Sequence, residues 1–170
     1  MDYFAYRDGR LHCEEIDLTD LARRAGTPAY VYSKGTLVHH YTRLAEGFAA
    51  VHPLICFSVK SCPNLGVLRT LVGLGSGMDV VSGGELRRAL LAGVSPAKVV
   101  YAGVGKTEAE IAEALEAGVG TFNIESEPEF QVIAALAAER GATACAALRV
   151  NPDVDPSTHK YTTTGSAETK

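Results

Sequence analysis

The stretch Leu54-Ile55-Cys56-Phe57-Ser58-Val59-Lys60-Ser61-Cys62-Pro63-Asn64 frames everything downstream of it. Leu54 to Lys60 is apolar or small up to a single cation, as in a short buried strand, and Pro63-Asn64 opens an amphipathic stretch that runs to Leu74. The same pair of signals then recurs. Met78 to Val81, Lys98 to Ala102, Gly120 to Ile124 and Thr143 to Val150 read as further strands, while Gly84 to Ala92, Thr107 to Ala117 and Glu127 to Arg140 carry apolar residues at helical spacing. Gly93, Gly118 and Gly141 stand where helices should stop, and Thr107 with Glu110 and Ser126 with Glu129 have the spacing of capping boxes. Five such units in succession predict an α/β fold built around a parallel sheet.

That rhythm is shared by an open doubly wound sheet and a closed eight-stranded barrel, and pattern alone leaves both open. A complete barrel takes about 250 residues, so a chain of 170 residues holds only part of one. Upstream of the repeats, Asp17 to Ala25 reads as a short helix, Ala29 to Tyr32 as a strand and Thr36 to Ala50 as another helix.

Composition narrows the partners. At 46% apolar and 21% charged residues the chain has the balance of a globular protein with a buried core. A net charge of −4 and a pI near 5.7 give no electrostatic basis for nucleic acid or an anionic membrane as partner, leaving small molecules and protein. Cys13, Cys56, Cys62 and Cys145 show no paired short spacing, the opening residues are charged throughout rather than signal-like, and no apolar run approaches the roughly 20 residues that cross a bilayer. The expected compartment is the reducing cytoplasm.

Three motifs are set aside. Gly105-Lys106-Thr107 ends like a phosphate-cradling loop, but position 100, where that motif needs glycine, is Val100. Gly73, Gly75 and Gly77 lack the third glycine of a dinucleotide fingerprint, because position 78 is Met78, and they precede a strand instead of following one. His39 and His40 are adjacent on a helix, so their rings diverge by about 100° and make a poor chelate; no metal site is expected.

Lys60 stands apart from these. A lysine at a strand's end is ordinarily solvated, but in barrels the C-terminal ends of the strands line the active site. Here the sequence resembles a known family. Phe57-Ser58-Val59-Lys60-Ser61-Cys62-Pro63-Asn64 is similar to the cofactor-lysine motif of the fold type III decarboxylases, barrel enzymes dependent on pyridoxal phosphate (PLP). Gly77-Met78-Asp79-Val80-Val81-Ser82-Gly83-Gly84-Glu85-Leu86 resembles their second-strand signature, Asn123-Ile124-Glu125-Ser126 the fourth and Leu148-Arg149-Val150-Asn151-Pro152 the fifth. The run Asn151-Pro152-Asp153-Val154-Asp155, with Thr158-His159 and Tyr161 to Gly165, resembles diaminopimelate decarboxylases in particular. The usual small residue and asparagine after the lysine are replaced by Ser61 and Cys62; Cys56 and Cys62 read as packing variants.

The resemblance implies a (β/α)8 barrel present as its first five or so units, with residues 1–35 an N-terminal segment that contributes to a second β-domain and residues 36–170 the partial PLP-binding barrel. It implies that Lys60 condenses with the cofactor's aldehyde, that Asp79 orients that linkage, that Arg149 helps to position the ring, and that His159 lies on a loop over the site. Each has a plainer alternative: Asp79 capping the Ser82-Gly83-Gly84 turn, and Arg149 paired with Glu125. The implied activity is decarboxylation of meso-2,6-diaminopimelate to L-lysine by a homodimer whose sites are completed by the partner subunit. Rival readings are a decarboxylase for ornithine, arginine or carboxynorspermidine, or a truncated PLP-binding relative without activity.

Overall fold

The computed structural model describes residues 2–153. A three-stranded antiparallel sheet comes first, from β1 (Phe4–Arg7), β2 (Arg10–Cys13) and β3 (Ile16–Asp17), followed by α1 (Leu18–Ala25) and α2 (Lys34–Gly47). Then β4 (Cys56–Ser58), β5 (Gly77–Val80), β6 (Val99–Tyr101), β7 (Thr121–Ile124) and β8 (Ala146–Leu148) alternate with α3 (Leu65–Gly73), α4 (Gly83–Leu91), α5 (Glu108–Ala117) and α6 (Glu127–Glu139).

The spatial order of the second sheet is β4-β5-β6-β7-β8, every pair parallel. Doubly wound sheets reverse strand order at a switch point and cover both faces with helices. Neither occurs here. Met78, Val80, Val99, Tyr101, Phe122 and Ile124 are all buried and share one core with Leu68 and Leu71 of α3, Leu86 of α4, Ile111 of α5 and Ile133 of α6. Their alternates along the strands, Asp79, Val100, Thr121 and Asn123, are only half-buried. Helices on one face and a polar, open second face are what an arc of a barrel requires, five strands of the eight.

Inside the core, the Tyr101 and Phe122 rings stack with centroids 6.1 Å apart, tying β6 to β7. At the other end of the strands glycine is demanded by contact: a Cβ at Gly120 would collide with the carbonyl of Ala97, and one at Gly77 with that of Lys98. The short turn Pro96–Lys98 can therefore seat against both strand starts.

The first sheet is tied to α2 through Glu14. Its Oε1 accepts from the Ser33 hydroxyl at 2.8 Å and the Gly35 amide at 2.7 Å, so a residue of the β2–β3 turn caps the start of α2. Those bonds hold the Glu14 carboxyl below its ordinary value, the Gly35 amide contributing most.

Two expectations change and one element is added. Ala29 to Tyr32 forms no strand among the described residues, and Tyr30 is 91% exposed; a β-branched residue between aromatics is not a strand without a sheet edge to join. The hairpin β1–β2 was not foreseen, although Asp8 and Gly9, with φ of 49° and 76°, are the Asp-Gly turn that such hairpins favour. Lys60 belongs not to the strand but to the single 3-10 turn Val59–Ser61 that follows it.

Candidate active site at the C-terminal strand ends

Each parallel strand ends at the same rim, and the segments that leave it carry the polar residues. After β4 the chain makes its 3-10 turn, closed by the Ser61 hydroxyl donating to the Ser58 carbonyl at 2.7 Å. Val59 is fully buried and turns inward, which sends Lys60 outward. Asn64 then caps α3 by accepting from the Gly66 and Val67 amides, and Arg88 Nε donates to the Pro63 carbonyl at 2.8 Å, bracing the loop from α4.

Lys60 is exposed, and among the described residues nothing lies in hydrogen-bond reach of its amine. None of the described cavities includes it. The exposure follows from the arc: among the described residues no strand stands opposite β4 to enclose the lysine. Two residues earlier, Ser58 lies in register with Asp79 of β5 and donates its hydroxyl to Asp79 Oδ2 at 2.8 Å on the uncovered face. Asp79 is thus brought beside the lysine-bearing turn. It does not cap the turn at 82–84, where Ser82 itself accepts from the Glu85 amide.

A second cluster closes the other end of the rim. Glu125, which follows β7, has a side chain only 7% exposed. It accepts from the Gly103 amide at 3.1 Å and from Arg149 Nη1 at 3.0 Å. The ion pair between Arg149 and Glu125 therefore exists, and the Arg149 side chain remains 41% exposed. Arg149 follows β8, four strand spacings from β4, or roughly 19 Å along the sheet; no contact joins it to Lys60 or Asp79 among the described residues. His159 lies outside the described residues.

At each helix start on this rim the protein's own side chains take one or two of the free amides. At α4, Val81 N–H donates to Glu85 and Gly83 N–H to Glu110; at α5, Thr107 and Glu110 form a reciprocal capping box; at α6, Ser126 accepts from Glu129 N–H while Glu129 accepts from Glu125 N–H. Helix N-termini attract anions, and here Glu85, Glu110 and Glu129 already bring carboxylates to or beside those positions.

Glu110 shows the electrostatic consequence. The Gly83 amide, then the Thr107 amide and hydroxyl, hold its carboxyl below the ordinary value against the opposing effect of burial. A carboxyl lowered on folding stabilises the fold above its unfolded value of about 4.3, and that contribution drains away as pH falls toward the lower folded value. Glu110→Gln should therefore reduce stability at pH 7 by about 1–2 kcal/mol, with the gap narrowing below about pH 4; urea unfolding at both pH values measures it.

Comparison with known proteins decides the family. Residues 34–170 match the family described as pyridoxal-dependent decarboxylase, pyridoxal binding domain. This chain belongs to the pyridoxal-dependent decarboxylases. Among these decarboxylases it is 52% identical to diaminopimelate decarboxylase of Vibrio cholerae and 50% identical to that of Pseudomonas aeruginosa, in each case over all of this chain and 41% of the relative. Its fold is similar to the crystal structure of diaminopimelate decarboxylase from M. jannaschii in complex with L-lysine, with a TM-score of 0.87, 38% identity, and coverage of 94% of this chain and 38% of that one. The viral arginine decarboxylase, at 20% identity and a TM-score of 0.65, shares the fold alone. This decarboxylase chain spans about two-fifths of the length of the curated relatives it matches. No described helix is long and apolar enough to cross a membrane.

Sequence reasoning singled out Lys60, Asp79 and Arg149 and weighed the Glu125 pair. It missed Ser58 as the partner of Asp79, and Lys106 and Glu129 behind Glu125. Strand register, which pairs position 58 with 79, could have found the first. Nothing local signals the others, because their partners come from three elements.

Proposed function

We propose that this chain is the N-terminal part of a diaminopimelate decarboxylase, a PLP-dependent carboxy-lyase that converts meso-2,6-diaminopimelate to L-lysine. The observation that carries it is the placement of Lys60 on the turn after β4, beside the Ser58–Asp79 pair on the face the helices leave open. The solved relative holding L-lysine, and the curated relatives at 50% identity and above, support the substrate.

In this reading Lys60 would hold the cofactor through Nζ and, when released, would serve as a base at the same place. Asp79, with Oδ2 engaged by Ser58, keeps Oδ1 to balance the positive charge that develops at the lysine nitrogen. Arg149, braced on one side by Glu125, would offer its remaining donors to the ring. When bound, PLP supplies a conjugated cationic ring that takes up the electron pair left as carbon dioxide departs. His159 would sit on a loop over the site. Residues 1–35 belong with a second β-domain and residues 36–170 with the barrel; the working form is a cytoplasmic homodimer whose partner subunit completes each site.

The test is turnover of the complete gene product on meso-diaminopimelate, ornithine and arginine, with carbon dioxide release as readout. Diaminopimelate alone should be consumed. Consumption of ornithine or arginine in its place overturns the substrate assignment while leaving the cofactor chemistry standing.

A further inference from the structure

Lys106 is the lysine of the Gly-Lys-Thr motif whose context excludes a phosphate loop, and its surroundings give it another role. Its side chain is 0% exposed. The three ammonium donors meet three acceptors: the Gly103 carbonyl at 2.8 Å, the Asn123 carbonyl at 2.9 Å and Glu129 Oε1 at 2.5 Å. The ammonium also lies 5.6 Å from the centroid of the Tyr101 ring. Lysine is almost never buried unless paired, and here every donor is used, so the cation joins the loop after β6, the end of β7 and the first turn of α6 in one knot.

That knot stands directly behind the Glu125 pair. The second oxygen of Glu129 accepts from the Glu125 amide at 2.8 Å, which fixes the backbone from which the Glu125 carboxylate springs. Glu125 Oε1 accepts from the Gly103 amide, the same residue whose carbonyl Lys106 holds. Gly103 has φ of 105°, a conformation in which the peptide is held by its hydrogen bonds and not by a side chain. Both fixed points of the Glu125 carboxylate therefore depend on Lys106, and Arg149 takes its direction from that carboxylate.

We propose that Lys106 is a positioning residue for the cofactor site: a buried cation that, through Glu129 and Glu125, sets the orientation of the Arg149 guanidinium. It rests on the assignment of Arg149 to the cofactor made above. Removing the ammonium leaves two carbonyls and one carboxylate oxygen without a donor in a space closed to water, and the Gly103 and Glu125 peptides are then free to turn. The Arg149 side chain would keep its charge but lose its aim.

The experiment is a double-mutant cycle in the complete gene product, with Lys106→Met, Arg149→Ala and the two combined. The readouts are PLP affinity, from equilibrium titration of the visible cofactor band, and the melting temperature of the cofactor-free protein. Lys106→Met should weaken PLP binding by about tenfold, and the double variant should bind no more weakly than the poorer single one, because the interaction is lost once. The drop in melting temperature on Lys106→Met, in contrast, should be alike in both backgrounds. Should Lys106→Met fail to fold, Glu129→Gln takes its place in the cycle with the same expectation. Losses of affinity that multiply in the double variant, or Lys106→Met binding PLP as tightly as the unsubstituted protein, would overturn the proposal and leave the cofactor role of Arg149 intact. Arg149→Ala binding PLP undiminished would instead remove that role, and the proposal with it.

Discussion

Lys60→Ala is expected to abolish the visible absorbance of the PLP-loaded protein and to lower diaminopimelate turnover by at least about 10²–10⁴-fold, the span that a single general acid–base group contributes. The argument is positional. The turn Val59–Ser61 is held at three points: Val59 sits fully buried in the core, Ser61 closes onto the Ser58 carbonyl, and Arg88 anchors Pro63 from the neighbouring helix. None of these contacts involves the Lys60 side chain, which is exposed, so its removal to Cβ leaves the fold unstrained. The variant should therefore melt within about 0.5 kcal/mol of the parent, as exposed substitutions do, while its spectrum changes completely. A Lys60→Ala protein that keeps the visible band would place the covalent linkage on another amine and sink the reading. Lys106 is no candidate for that amine, being closed from solvent with all its donors engaged.

The second large effect concerns the sheet edges. Residues 1–170 produced as a separate polypeptide are expected to self-associate at micromolar concentration, where exposed strand edges and apolar surface drive aggregation, and to show no turnover. Among the described residues β4 and β8 each pair on one side only, and at β8 the edge is apolar as well. Leu148 is 74% exposed and Val150 78%, beside a cavity of about 470 Å³ lined by Ile124, Phe130, Ala146 and Leu148. Exposed apolar edges without a covering element are what folded proteins avoid. Leu148→Lys should shift the population toward monomer in sedimentation velocity, without restoring activity. A monodisperse, active monomer of residues 1–170 would contradict the expectation outright.

How much of this was legible in the sequence depended on whether the signal was local. The alternation of apolar runs with amphipathic stretches is local, and each expected unit from Leu54 onward has its strand and, where one follows, its helix within a few residues of the expected bounds. The choice between barrel and open sheet was not local, since both use the same units; it follows from strand order and from which face the helices cover. Asp79 was found by resemblance, but its partner Ser58 becomes visible only when parallel register puts position 58 opposite 79. The spacing of Ser126 and Glu129 suggested a reciprocal capping box, yet only Thr107 and Glu110 form one. Glu129 instead reaches one residue further back, to the Glu125 amide, and takes the Lys106 ammonium with its other oxygen. No window of sequence contains that arrangement.

The acidic helix starts along the rim carry a consequence for how a cofactor would be gripped. Glu85, Glu110 and Glu129 set carboxylates at or beside those positive ends, and these repel a doubly charged tail. In the proposed reading Lys60 would take the reactive carbon while the anionic end found its anchor on other stretches of polypeptide. Chemistry and retention would then become separable properties, so that damage to one region should leave a protein that still reacts with free pyridoxal but cannot keep it.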